Sequence, residues 1–276
     1  MLQPPYTHYD RLYVYHLDLK AIPEVNDPDL IGVWIEDDMA VLFFHLPKED
    51  LVASICRQYN CNLVYHADMD YRDWESGQEI SSFTTGNITV APVWENVPAD
   101  IRLDPSVIFG TGFHPTTRIC LDLLLTYCTT PEIKISSVLD LGTGTGLLGI
   151  AAAMHGATKV TAVDNNPLAC QVAQANCRLN TVEDRVDVRQ LDLRTNLPDT
   201  GQYNLVVANL YKGLLEELFD NPSFWQADLY ILSGFIHSME ADLLAAFPTE
   251  SLRFLDRKRA DKWCVWVLAN KERYVS

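Results

Sequence analysis

Nine residues, Val138-Leu139-Asp140-Leu141-Gly142-Thr143-Gly144-Thr145-Gly146, constrain this chain more than any other stretch. An apolar run ends, three alternate glycines follow, and a second apolar series begins at Leu147. That order reads as buried strand, tight turn and helix. Without β-carbons the turn can bend sharply and admit a ligand close to the backbone. The helix N-terminus then offers free N–H groups to a polar or anionic group. Asp164, 18 residues after Gly146, ends the next strand, Thr158-Lys159-Val160-Thr161-Ala162-Val163-Asp164. A carboxylate at the tip of that second strand can accept hydrogen bonds from both hydroxyls of a ribose.

Such a loop serves any adenosine-bearing cofactor, and two readings compete. Gly144-x-Gly146-x-x-Gly149 matches the nicotinamide-dinucleotide fingerprint in letters. Its register differs: if the strand ends at Leu141, Gly142 opens the turn, the position five further on is Leu147, and Gly149 falls inside the helix as a packing residue. Asp140, just before the first glycine, suits a cofactor carrying a positive amino group or sulfonium better than a pyrophosphate. The expected cofactor is S-adenosylmethionine, held by Asp140, Gly142, Thr143, Gly144, Asp164 and Asn165.

From Val138 onward strands and helices alternate, which predicts an α/β fold with a doubly wound, mostly parallel sheet. Asn166 and Pro167 read as the cap and first position of a helix with the apolar stripe Leu168, Val172, Ala175 and Leu179. The last two strands, Leu252-Arg253-Phe254-Leu255-Asp256-Arg257-Lys258 and Lys262-Trp263-Cys264-Val265-Trp266-Val267-Leu268-Ala269-Asn270, read as a closing antiparallel hairpin. Asp192, after the strand at 185–190, can accept from an adenine amino group or simply be solvated. Asn209 ends the fourth strand at the carboxyl edge of the sheet, where it can orient an incoming amine or cap a helix. Residues 1–90 read as a small α+β domain around an antiparallel sheet, 91–105 as a proline-bearing linker, and 106–276 as the cofactor domain.

Charge bears on partners. Residues 1–100 carry 17 acidic and 5 basic side chains, a net of −12 out of −16 for the whole chain. Such a field repels phosphate backbones and attracts cations, so a basic protein partner is expected and direct nucleic-acid binding is not; solubility alone also accounts for it. The seven cysteines include no Cys-x-x-Cys pair, so neither a disulfide framework nor a zinc site is expected. No stretch approaches the roughly 20 unbroken apolar residues of a membrane span. The N-terminus lacks a basic region followed by an apolar one, so the expectation is a cytoplasmic protein, and a monomer.

Leu103-Asp104-Pro105-Ser106-Val107-Ile108-Phe109-Gly110-Thr111-Gly112-Phe113-His114-Pro115-Thr116-Thr117 resembles the signature of the PrmA-type methyltransferases, which modify ribosomal protein L11. Their pattern reads close to LDPGLAFGTGTHPTT. Asp73-Trp74-Glu75, Pro92-Val93-Trp94, Asn209-Leu210, Ser233-Gly234 and Trp263-Cys264 extend the resemblance. It implies a Rossmann-like class I methyltransferase sheet behind a ferredoxin-like N-terminal domain whose first helix is absent here. It also implies methylation of lysine side chains or a terminal amine on a basic large-subunit ribosomal protein. Thr117, Gly142, Asp164 and Asn209 then match cofactor-contacting positions, Phe109, Gly110, Thr111 and Gly112 line the same pocket, and Asn209 orients the amine. His114 stands as a general base or a structural loop residue.

The sequence departs from the pattern at Phe113, where the family has threonine, and at Tyr211-Lys212. Lys212 either disfavours protonation of the acceptor amine by like-charge repulsion or is an exposed helix-start lysine. Other functions remain in play: a lysine methyltransferase with another protein target, a small-molecule methyltransferase, or a cofactor-binding module without catalysis.

Overall fold

A computed structural model describes residues 10–36, 38–74 and 79–274, with the side chains of Glu36 and Trp74 left aside. The first nine residues, Asp37 and Glu75 of the Asp73-Trp74-Glu75 string lie outside the described residues. The chain opens with strands β1 (Arg11–Leu17), β2 (Leu30–Glu36) and β3 (Met39–Phe44), helix α1 (Glu49–Tyr59) and strand β4 (Leu63–Asp70). They form an antiparallel sheet in the order β2-β3-β1-β4, the order of a ferredoxin-like βαββαβ unit without its first helix.

The run Met39-Ala40-Val41-Leu42-Phe43-Phe44 is apolar throughout because both faces of β3 are covered. Leu42 and Phe44 pack with Tyr15, Leu17, Val52 and Ile55 beneath α1. Val41 and Phe43, with Leu12, Val14 and Ile31, face the opposite way onto Val107, Ile108, Leu168 and Val172. Period-two alternation decides which residue takes which side.

A one-turn helix, α2 (Tyr71–Trp74), precedes the small sheet of β5 (Phe83–Thr85), β6 (Ile88–Pro92) and β7 (Ile101–Leu103). Then come α3 (Pro115–Thr129), β8 (Ser137–Leu141), α4 (Leu147–Met154), β9 (Lys159–Asp164), α5 (Pro167–Leu179), β10 (Val186–Gln190), β11 (Leu205–Asn209), α6 (Lys212–Phe219), β12 (Leu229–Ile236), α7 (Glu240–Ala245), β13 (Leu252–Ala260) and β14 (Trp263–Asn270). The strands β8 to β14 build a seven-stranded sheet in the order β10-β9-β8-β11-β12-β14-β13. Only the pairs made by β14 are antiparallel. This is the Rossmann-like sheet with a closing hairpin that the alternation predicts. The chain runs outward from β8 through β9 to β10 and then returns to β11 on the other side of β8. That reversal leaves a crevice above the carboxyl ends of β8 and β11, the place where such sheets take ligands. Among the described residues no helix is long and apolar enough to cross a membrane.

Two expectations change. The stretch 91–105, read as a linker, carries β7, which runs parallel to β6 and buries Ile101 and Leu103 in the main core. The free edge of β7 is satisfied by two asparagines four residues apart, Asn176 in the last turn of α5 and Asn180 at its C-cap. Asn180 accepts from Arg102 N at 2.9 Å and donates to Arg102 O at 2.7 Å. Asn176 accepts from Asp104 N at 2.8 Å and donates to Asp104 O at 3.0 Å. The (i, i+4) spacing of a helix thus meets the (i, i+2) spacing of one strand face, and no backbone donor or acceptor there is orphaned. For the same reason the buried face of α5 is not the expected stripe. It runs through Leu168, Ala169, Val172, Ala173, Asn176 and Cys177, leaving Ala175 and Leu179 half-buried.

Candidate active site

The carboxyl ends of β8, β9 and β11 open into a cavity of about 650 Å³, well within the range of small-molecule sites. Of the residues expected there, Phe109, Gly142, Gly144, Asp164, Asn165, Asp192 and Asn209 line it.

The glycine turn is fixed by its own backbone. Gly142 N and Thr143 N both donate to Val163 O, at 2.8 and 2.9 Å, which ties the end of β8 to β9. Gly144 has φ +56°, and a β-carbon there would stand 2.2 Å from Phe109 O. Only glycine lets residues 106–114 lie as a strap directly on the turn. Thr145 stitches the two together, N to Phe109 O at 3.1 Å and Oγ1 to Gly110 O at 2.7 Å. The two glycine-rich strings are therefore one structural unit.

Asp164 receives Gly144 N on Oδ2 at 3.0 Å and Asn166 N on Oδ1 at 2.9 Å. Burial pushes its carboxyl up from the ordinary value, while these backbone N–H groups pull it back. Each oxygen keeps a lone pair for a hydroxyl of a bound ligand. The N–H of Gly144, which a pyrophosphate-binding turn would present to its ligand, is already taken by a carboxylate. A dianionic pyrophosphate has no donor there and meets a negative group.

Asp140 does not do what the sequence suggested. It is 1% exposed, accepts from Thr143 Oγ1 at 2.6 Å and Gly149 N at 3.1 Å, and faces the start of α4 rather than the cavity. Burial pushes its carboxyl up to about 6, against the Thr143 and Gly149 hydrogen bonds, with a smaller contribution from Asp164. Its work is to hold the turn against the helix, and Gly149 is the packing residue beside it. Gly110, Thr111, Gly112, Thr117 and Thr143, also expected at the ligand, are not among the residues that line the cavity. Thr111, Thr117 and Thr143 are buried, and a β-carbon on Gly112 would strike the Phe83 ring at 2.3 Å. These residues shape the strap and turn from within.

Thr117 is hydrogen-bonded to Asn209, which does line the cavity. The amide nitrogen of Asn209 donates to Thr117 Oγ1 at 3.2 Å, and its Oδ1 is buried without a hydrogen-bond partner. An unpaired buried acceptor costs about 1–3 kcal/mol, so a donor brought into the cavity recovers that cost. Gly234 makes room for this corner: at φ +97° its absent β-carbon would fall 2.0 Å from Leu210 O.

His114 lines the cavity and caps α3, its Nδ1 accepting from Thr116 N at 3.3 Å. Its ring packs edge-on against Trp263 at 4.6 Å. Burial and the charge of Lys262 lower its pKa, which favours the neutral ring. Lys212 is outside the cavity lining, paired with Asp242 at 2.6 Å and Glu216 at 3.1 Å. It is the helix-start lysine. Asp192 is exposed and accepts Arg194 N on Oδ1 at 3.0 Å.

Several lining residues escaped sequence reasoning: Trp34 from β2, Arg194, whose guanidinium donates to Tyr211 Oη, and Tyr211 itself. Nothing local in the sequence marks Trp34 or Arg194, which arrive through packing of separate elements; Tyr211 stands in the stretch that departs from the family pattern. Ser106 carried a readable signal. It stands where the family pattern has glycine and adopts φ +50°.

Residues 36–271 match the family model described as "Ribosomal protein L11 methyltransferase (PrmA)". The ribosomal protein L11 methyltransferase of Caldicellulosiruptor saccharolyticus is 33% identical over 215 residues, covering 74% of this chain and 68% of that protein. The protein of the same name from Carboxydothermus hydrogenoformans is 30% identical over 256 residues, covering 86% and 82%. Among solved structures, the crystal structure of ribosomal protein L11 methylase from Lactobacillus delbrueckii subsp. bulgaricus superposes with TM-score 0.59 at 26% identity. It covers 69% of this chain and 99% of that one.

Proposed function

The chain belongs to the ribosomal protein L11 methyltransferase (PrmA) family, and from that premise we propose that it transfers methyl groups from S-adenosylmethionine to lysine or terminal amines of ribosomal protein L11. The observation that carries this reading is the unpaired, buried Oδ1 of Asn209, a residue that lines the same cavity as Asp164.

The residues fit this cofactor. Asp164 has free lone pairs for two ribose hydroxyls, the turn offers no phosphate cradle, and the cavity size suits a nucleoside with a short side chain. The bound cofactor supplies an electrophilic methyl group on a positively charged sulfur. All else falls to alignment of a neutral nitrogen. Asn209 Oδ1 accepts an N–H of the acceptor amine and turns its lone pair inward, and Thr117 fixes the amide in that orientation. The amine, with a reference pKa of about 10.4, sheds its proton to water before it engages. His114 is occupied at Nδ1 by the helix cap, and Lys212 is neutralised by two carboxylates, so neither is needed for that step.

The acidic excess of residues 1–100 supports a basic protein as partner, approached without direct nucleic-acid contact. The enzyme works as a cytoplasmic monomer in this reading. Incubation with methyl-labelled S-adenosylmethionine and a whole ribosomal-protein fraction tests it. Label on L11 at lysine or the terminal amine supports the proposal. Label on another protein moves the target, and cofactor binding without transfer removes the activity.

A further inference from the structure

The N-terminal sheet reaches the cavity. Trp34, near the end of β2, is a lining residue, and its ring packs against Phe43 with centroids 4.4 Å apart. Two positions earlier, Gly32 faces α5 so closely that a β-carbon would stand 2.3 Å from Leu168 Cδ2. Side chains two apart on a strand share a face, so Trp34 is presented toward the same body. Leu168 is in the first turn of α5, four residues after Asp164.

The contact is not a surface touch. Leu12, Val14, Ile31, Val41 and Phe43 form one continuous apolar core with Val107 and Ile108 of the strap and Leu168, Ala169 and Val172 of α5. Tyr71 Oη donates to Ser106 O in the same seam. The strap lies in turn on the glycine turn. The sheet, the strap and the start of α5 therefore hold Trp34 in one place relative to Asp164.

We infer that Trp34 is a positioning residue for the cofactor: its ring walls the nucleoside side of the cavity and couples S-adenosylmethionine binding to the order of the N-terminal sheet. This rests on the cofactor reading above. An aromatic face suits the role because it covers an adenosyl group without requiring a donor or acceptor. A strand that also packs in a shared core transmits the contact, since ordering the ring orders β2 and β3.

The test uses S-adenosylhomocysteine, the demethylated cofactor, so no turnover is needed. Calorimetric titration should give wild-type binding, a dissociation constant raised about tenfold in Trp34→Ala, and recovery to within about threefold in Trp34→Phe. Hydrogen exchange should slow in residues 30–44 of the wild type when the ligand is added, and not in Trp34→Ala at saturating ligand. Unchanged affinity in a folded Trp34→Ala overturns the inference, as does wild-type binding without protection of residues 30–44. If Trp34→Ala does not fold, the wild-type exchange experiment decides alone. Failure of the wild type to bind S-adenosylhomocysteine is a separate outcome and sinks the cofactor reading instead.

Discussion

The amide nitrogen of Asn209 donates to the hydroxyl of Thr117, 92 positions earlier, at 3.2 Å, and this single bond decides which end of the amide is left without a partner. The oxygen left over is buried and unpaired. The end of β11 and the start of α3 thus meet to leave one acceptor unpaired.

Removing that acceptor should separate chemistry from binding. Asn209→Ala is expected to lower kcat by about 100-fold or more, as loss of a preorganised polar group does, with the dissociation constant for S-adenosylhomocysteine within about threefold of wild type. Thr117→Val should lower kcat by about tenfold with the same small effect on affinity. Equal losses in affinity and turnover for Asn209→Ala would refute the orienting role.

Asp164→Asn should act the other way. Hydrogen bonds to a charged group contribute about 1.5–3 kcal/mol, so the variant should bind S-adenosylhomocysteine about 10 to 100 times more weakly in calorimetry. Binding unchanged by this substitution would remove the carboxylate from the cofactor site.

Asp140 makes a pH prediction. Its folded carboxyl, pushed up to about 6 by burial despite bonds from Thr143 and Gly149, is protonated more readily than in the unfolded chain, where 3.8 applies. A raised pKa means stability that is fully present below about pH 3.8 and lost as pH rises through 6. The wild type minus Asp140→Asn difference in unfolding free energy should therefore fall between pH 4 and 7, by on the order of 3 kcal/mol. Denaturant titrations across that range check it, and a difference that rises with pH would contradict the assignment.

Ser106→Gly should stabilise the protein. Ser106 sits at φ +50° with its hydroxyl buried and unpaired. Relief of left-handed strain, about 1–2 kcal/mol, and of the orphaned hydroxyl outweighs the extra chain entropy of glycine, about 0.5–1 kcal/mol. The expected gain is about 1 kcal/mol, a rise in Tm of roughly 2 °C. A lower Tm would show that the serine makes a contact worth more than its strain.

Asn176→Leu should cost about 3 kcal/mol or more in unfolding free energy, because it strands Asp104 N, Asp104 O and Thr145 O in the core. A cost below about 1 kcal/mol would mean that those groups find other partners.

Local order was legible in the sequence, because it depends on neighbours in the chain. The glycines after Leu141, the Asn166-Pro167 cap and the alternation from Val138 onward fixed the sheet, the turn and the place of Asp164 by steric freedom and periodicity alone. The string from Leu103 to Thr117 added the family. What tertiary structure decided was direction. Asp140 reads as a ligand carboxylate until α4 is seen to close over it, and residues 91–105 read as a linker until Asn176 and Asn180 are seen to complete the edge of β7. Thr117 reads as a ligand contact, and the fold brings its hydroxyl oxygen to the amide nitrogen of Asn209. Trp34, more than 100 residues from the turn, carries no local mark at all. A side chain's neighbours across the fold, and the solvent they exclude, set where it points and whether it is charged.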